Sequence, residues 1–300
     1  MSFTISTDAC CDIPSKKLKE LNVHYIFLST ILDGTATIED YNSDEEYENF
    51  YKLLLEGKLP TTSQINTYDF EKYFSDILDN NQGDLLHISI SSGLSGSYNN
   101  AVTASNNLKS RYPDRKIIII DSLSGCFGQA ILVDIAVELR TKGKEFGTVV
   151  DILNDFVPYI QTWIFIDDLK HLRRGGRIGT ASAIIGTVLK LKPVLTITDK
   201  GQTKLVHKTF GVQKAIKYFV ESIEKYGEQE MISHGEKFPL KIYVAHANDK
   251  QHVSTLIDAI KQKIKCTFHI GYAGTVIGSH IGPGALGIFF LGKKRVKALI

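Results

Sequence analysis

Leu85-Leu86-His87-Ile88-Ser89-Ile90-Ser91-Ser92-Gly93-Leu94-Ser95-Gly96-Ser97-Tyr98 is the stretch on which the reading of this 300-residue chain turns. Its first half is a short apolar run, the pattern of a buried strand. The second half turns on Gly93 and opens a segment with apolar or small residues at Tyr98, Ala101, Val102, Ser105 and Leu108, which is helical spacing. A hydroxyl at Ser92 or Ser95 then sits at the start of a helix, where side chains and backbone N–H groups hold an anion. A serine that merely caps the helix satisfies the same pattern.

Outward from this stretch, strands and helices alternate. Upstream, Phe3 to Thr7 and Val23 to Leu28 read as strands around a helical Ser15 to Leu21. Asp33-Gly34 signals a hairpin, Asp40 to Leu55 reads as a helix, Thr61-Thr62-Ser63-Gln64 as a polar loop and Tyr68 to Asp79 as a helix. Downstream, Lys116 to Ile120 is a strand ending in Asp121-Ser122, and Phe127 to Thr141 reads as a strongly amphipathic helix. The alternation predicts an α/β fold whose first domain is a mostly parallel sheet with helices on both faces. Ligands of such sheets bind beyond the carboxyl ends of the strands, the edge where Asp8, Ser92, Ser95 and Ser122 fall.

A second α/β domain is expected after residue 160, dividing the chain into 1–160 and 161–300. It opens on the apolar Trp163-Ile164-Phe165-Ile166 and a turn carrying Arg173, Arg174 and Arg177 around Gly175-Gly176. Helices are expected at Ala181 to Leu189, Gly211 to Tyr226 and Val253 to Lys263. Strands are expected at Val194 to Thr198, Thr203 to Val206, Lys241 to Ala245, Thr267 to Tyr272 and Ala285 to Leu291. A glycine-rich stretch, Gly278 to Gly284, carries His280.

Composition excludes several classes. Hydrophobic residues make up 43% of the chain, and 35 Lys and Arg against 33 acids leave a formal charge of +2, too balanced for a broad nucleic-acid surface. No apolar run reaches the roughly 20 residues of a membrane span, and the first residues lack a signal-peptide pattern, so the expected location is cytoplasmic. Cys10, Cys11, Cys126 and Cys266 show no CxxC or paired metal spacing and read as reduced and mostly structural; no metal or cofactor is expected. Gly93-Leu94-Ser95-Gly96 lacks the Gly-Lys-Ser/Thr ending of a phosphate-binding loop. A serine hydrolase with Ser95 as nucleophile and His280 as base remains an alternative, although the G-x-S-x-G pattern is absent.

Several motifs together resemble the DegV family: Thr62-Ser63-Gln64, Ile90 to Tyr98, Asp121-Ser122, Asp168-Leu169 with Leu172-Arg173-Arg174-Gly175-Gly176-Arg177-Ile178, Leu191-Lys192-Pro193 and His280-Ile281-Gly282-Pro283-Gly284-Ala285-Leu286-Gly287. They occur in the family's order and span nearly the whole chain. The resemblance implies two α/β domains with a long-chain fatty acid in the cleft between them. It also implies a non-catalytic carrier subunit that presents the carboxylate to a separate ATP-dependent fatty acid kinase in phospholipid metabolism, with transient membrane contact for lipid exchange. Thr62, Ser95 and His280 match positions that bind the carboxylate, with Ser63, Ser92, Gly93, Gly96 and Ser122 in the supporting loops. Ala9 replaces a common serine and Ile65 a common proline of the family pattern.

The residue chemistry fits that implication. A carboxylate in an apolar cleft needs donors, because an unpaired buried charge is costly. Thr62 and Ser95 supply hydroxyls without a fixed positive charge, which leaves the carboxylate nucleophilic. Thr62 as a helix cap and His280 in a structural hydrogen bond are the plainer alternatives. The arginines 173, 174 and 177 form either a solvated turn or, as the resemblance implies, the kinase-docking rim, with Arg177 expected to pair with Asp167 or Asp168.

Overall fold

The computed structural model describes residues 3–38, 40, 42–179 and 192–295. The helix expected at Ala181 to Leu189 lies outside them. The first sheet contains β1 (Thr4–Asp8), β2 (Val23–Ile26), β6 (Leu85–Ser89) and β7 (Ile117–Asp121), in the order β2-β1-β6-β7 and parallel throughout. Every residue of β1 and β6 is buried, as expected for parallel strands covered on both faces. One face carries α3 (Thr67–Asn80) and α4 (Ser97–Asn107), packed through Phe70, Phe74, Ala101 and Ala104. Burying each of those phenylalanines stabilises the layer by roughly 1.5–3 kcal/mol. The other face carries α1 (Ser15–Glu20), α5 (Phe127–Thr141) and α6 (Phe146–Phe156). The sequence reading did not anticipate α6.

The second sheet has six strands: β8 (Ile160–Phe165), β9 (Lys192–Ile197), β10 (Thr203–Thr209), β13 (Lys241–His246), β14 (Thr267–Tyr272) and β15 (Leu286–Leu291). Their order is β10-β9-β8-β15-β13-β14, and only the β13–β14 pair is parallel. Helices α8 (Val212–Tyr226) and α9 (Lys250–Lys261) cover its outer face, built on Trp163, Phe219, Leu256 and Phe290. A hairpin of β11 (Glu230–Ser233) and β12 (Glu236–Pro239) was also unanticipated. The strands of the first sheet end at Asp121 and those of the second begin at Ile160.

Helix α5 has the expected limits, but its amphipathic reading needs correction. Ten of its fifteen residues are buried, including Phe127 to Val133 without interruption. It packs on β1 and β6 of one sheet and on β8, β13 and β15 of the other, so it is the partition between them. A helix apolar nearly all round belongs in such a place.

The expected polar loop at Thr61 to Gln64 is instead a short strand, β5 (Thr61–Ser63), paired antiparallel with β3 (Ser29–Leu32), whose other partner is β4 (Thr35–Thr37). Three residues of strand are too few to show a period, and the partner lies thirty residues upstream. The glycine-rich stretch is corrected likewise: Gly278 and His280 lie on α10 (Thr275–Ile281). That helix fits because Gly278 has no side chain; a Cβ there would lie 2.7 Å from the Tyr51 hydroxyl on α2 (Asp44–Leu55). Helix α2 in turn binds the second sheet, with Tyr47 stacked on Tyr272 at 4.8 Å and the Tyr51 hydroxyl donating to the Ala273 carbonyl at 2.7 Å.

Candidate functional site

A narrow cavity lies between the two sheets, with about 90 Å³ of free space inside it. Its walls are mainly apolar, with Leu28, Ile90, Ile164, Ile197, Val276 and Phe289 contributed from both halves of the chain. Polar side chains gather at the accessible end: Thr62 and Ser63 from β5, Gln64 beside them, Ser95, His280 and Arg177. Gln64 and Arg177 are exposed, Thr62, Ser63 and His280 half-buried, and Ser95 buried. Polarity therefore falls from mouth to interior, where the buried Thr162 is an exception.

Asp8, at the carboxyl end of β1, sets the loop after β6. Its buried carboxylate accepts from the N–H groups of Ile90 (2.7 Å) and Cys10 (3.1 Å), from the Ser89 hydroxyl (3.1 Å) and from the Gln129 amide (3.1 Å). Burial raises its pKa while those donors work the other way. Past Ile90 the chain reaches Ser95, whose hydroxyl oxygen accepts from the Ser97 N–H (3.2 Å) and lies 3.0 Å from the Ser97 hydroxyl. Ser97 accepts from the Ile65 N–H (3.1 Å), and Asn100, one helical turn on, donates to the Ile65 carbonyl (2.7 Å). The two polar loops are thus fastened to each other. The sequence reading missed Ser97 and Asn100; their i, i+3 spacing at a helix start was the available signal.

The supporting residues divide. Ser63 lines the cavity, whereas Ser92 and Ser122 do not. Asp121 holds the Ser92 N–H at 3.1 Å, and the Ser122 hydroxyl donates to the Ser124 carbonyl at 3.0 Å, so both shape turns. Gly96 leaves room for the Gln64 amide, which a Cβ would meet. Gly93 is required by the other half of the molecule: a Cβ there would lie 2.6 Å from the Lys200 carbonyl oxygen and 2.7 Å from Gly201, where the β9–β10 hairpin docks. The Ser91 hydroxyl donates to the Gly201 carbonyl at that contact (2.8 Å).

His280 Nε2 lies 2.9 Å from the Thr62 hydroxyl. With Nε2 protonated, the imidazole donates to the threonine oxygen, and the threonine proton is left to donate elsewhere. Burial, and behind it the Arg177 charge, pulls the His280 pKa down to about 4, so the ring is neutral at pH 7. Nδ1 is buried against the backbone of Gly175 on α7 (Leu169–Gly175), without a hydrogen-bond partner among the described residues. The hydrolase alternative finds no support in this geometry. Ser95 bonds to Ser97, His280 bonds to Thr62, and among the described residues no carboxylate stands behind the imidazole.

The arginines are not one cluster. Arg173 and Arg174 are exposed in the last turn of α7, where cations suit the helix dipole. Gly176 ends that helix at φ +68°, and the chain folds Arg177 back toward the cavity. Its guanidinium donates to the carbonyls of Leu94 (2.9 Å) and Gly175 (2.7 Å), not to Asp167 or Asp168. Those acids pair with Lys192 (2.8 Å) and Lys170 (3.1 Å). The accessible end therefore does carry a fixed positive charge, contrary to the expectation from Thr62 and Ser95 alone. Such an end, a cation beside two hydroxyls at the rim of an apolar cavity, can hold one carboxylate and its hydrocarbon tail. Among the described residues, no group of three or more His, Cys, Asp or Glu is placed to hold a metal ion, and no helix is long and apolar enough to cross a membrane.

Residues 2–293 match the family model described as "Uncharacterised protein, DegV family". A DegV domain-containing protein of Clostridium perfringens is 34% identical over 295 residues, covering 98% of each chain. Among solved structures, the fatty acid binding DegV protein of Bacillus subtilis superposes with a TM-score of 0.80 at 28% identity, covering 98% of this chain and 100% of that one. A DegV family protein from Thermus thermophilus, described for its fatty acid binding, superposes with a TM-score of 0.83 at 26% identity over 97% of this chain and 100% of its own. With the family's motifs laid along both sheets and the match running almost end to end, the chain belongs to the DegV family.

Proposed function

We propose that this protein holds a long-chain fatty acid with its tail between the sheets and its carboxylate at Thr62, Ser95, His280 and Arg177, and that a separate ATP-dependent kinase phosphorylates the bound acid in the cytoplasm. The observation that carries this reading is the polarity gradient of the cavity, apolar inside and hydroxyl- and arginine-bearing at its rim. Fatty acid binding by the relatives from Bacillus subtilis and Thermus thermophilus supports it. Each buried CH₂ stabilises the complex by about 0.8 kcal/mol, so the tail dominates affinity while the head group fixes orientation. In the kinase step one carboxylate oxygen attacks the γ-phosphorus of ATP, ADP leaves, and an acyl phosphate forms. Thr62 and Ser95 orient the carboxylate for that attack, and the partial exposure of the rim leaves it within reach of a second protein. Contact with a membrane surface loads and unloads the chain.

Native mass spectrometry of the purified protein should show a bound mass matching a long-chain fatty acid. Thr62→Ala and Ser95→Ala should each weaken binding by on the order of 1–2 kcal/mol, and together by less than the sum if they share one carboxylate. Wild-type affinity in both variants would sink the head-group assignment.

A further inference from the structure

Thr162 sits in the wall of the cavity, on the middle of β8, only 1% exposed. Its register partner across the sheet is Phe289, which lines the same cavity, so the two side chains share the inner face. Its hydroxyl oxygen is buried and has no hydrogen-bond partner among the described residues. The cavity-lining side chains on the strands around it, Ile164, Ile197 and Phe289, are apolar. A threonine of this kind costs free energy where valine would fill the same volume with the same strand preference.

We infer that the cavity selects an acyl chain bearing its own oxygen, a hydroxy or oxo fatty acid, and that Thr162 is the residue that recognises it. This inference rests on the fatty acid reading and adds the substrate class. The Thr162 hydroxyl both donates and accepts, so a chain hydroxyl or a chain carbonyl satisfies it, and the partner bond exists at only one depth along the chain. An oxygen facing Ile164, Ile197 or Phe289 instead is left unpaired against an apolar side chain.

The test compares delipidated wild-type protein with Thr162→Val and Thr162→Ser. Each is titrated with octadecanoic acid, with hydroxyoctadecanoic acids whose hydroxyl is stepped along the chain, and with the matching oxo acids. In the wild type, one hydroxyl position should bind on the order of tenfold more tightly than its neighbours, the discrimination expected between a paired and an unpaired buried oxygen. Thr162→Val should abolish that preference while binding octadecanoic acid at least as well, and Thr162→Ser should keep it. Affinity independent of hydroxyl position in the wild type, or the same preference in Thr162→Val, would overturn the inference and leave fatty acid binding intact. Failure of wild type to bind any of these acids would overturn both.

Discussion

Gly175→Ala separates the tertiary site from local helix physics, because the two give opposite signs. Alanine in place of glycine in a helix is worth up to about 1 kcal/mol by propensity alone. At Gly175, however, a Cβ would run into His280 Nδ1 and lie 2.8 Å from Cε1. Ordinary contact begins near 3.5 Å, so the imidazole must retreat by more than about 1 Å. Its other nitrogen is bonded to Thr62 at 2.9 Å, and a neutral hydrogen bond fails beyond about 3.2 Å. Losing that bond costs about 1 kcal/mol and the overpacking about 1–3 kcal/mol, so the net destabilisation is roughly 1–3 kcal/mol after the helix gain. Thermal unfolding without ligand should fall by about 2–4 °C for each kcal/mol. Displacement of a fluorescent fatty acid should show affinity down by about fivefold, because Thr62 loses the group that orients it. Gly147→Ala on α6 is the control: its Cβ would meet nothing within 4 Å, so stability and affinity should hold or rise. Wild-type melting and affinity in Gly175→Ala would refute the packing of α7 on His280 as the support of the head-group end.

Three further outcomes are expected. Gly93→Ala should lower the urea midpoint by an amount worth about 2 kcal/mol or more, since the atoms it meets are backbone of the β9–β10 hairpin; an unchanged midpoint would refute the close docking of the two halves there. Burial pushes the Asp12 carboxyl up to about 7, so between the unfolded value near 3.9 and pH 7 the native state holds a proton that the unfolded chain releases, and stability from this group is lost as pH rises through that window. Asp12→Asn should therefore gain stability relative to wild type between pH 5 and pH 8, and a pH-independent difference in urea unfolding would contradict it. Arg173→Ala and Arg174→Ala should leave melting and fatty acid affinity near wild type while slowing kinase-dependent acyl-phosphate formation, more so at low salt; wild-type turnover at every carrier concentration would place kinase docking elsewhere.

The parallel sheet, the edge at Asp8 and the loop after β6, and the limits of α5 were legible in the sequence, because strand and helix periods are set by residues two to four positions apart. The family was legible as well, since its motifs run in order along the chain. What the sequence left open depends on contacts between distant segments. Thr62 meets His280 across 218 residues, and Ser91 meets Gly201 across 110. Nothing local distinguishes Ser95, which lines the cavity, from Ser92, which holds a turn. Arg177 leaves the company of Arg173 and Arg174 only because the helix ends at Gly176 and the Leu94 carbonyl is there to receive it. Thr162 read as one more residue of an apolar strand; that its hydroxyl has no partner among the described residues is decided by which side chains two sheets and a central helix bring around it.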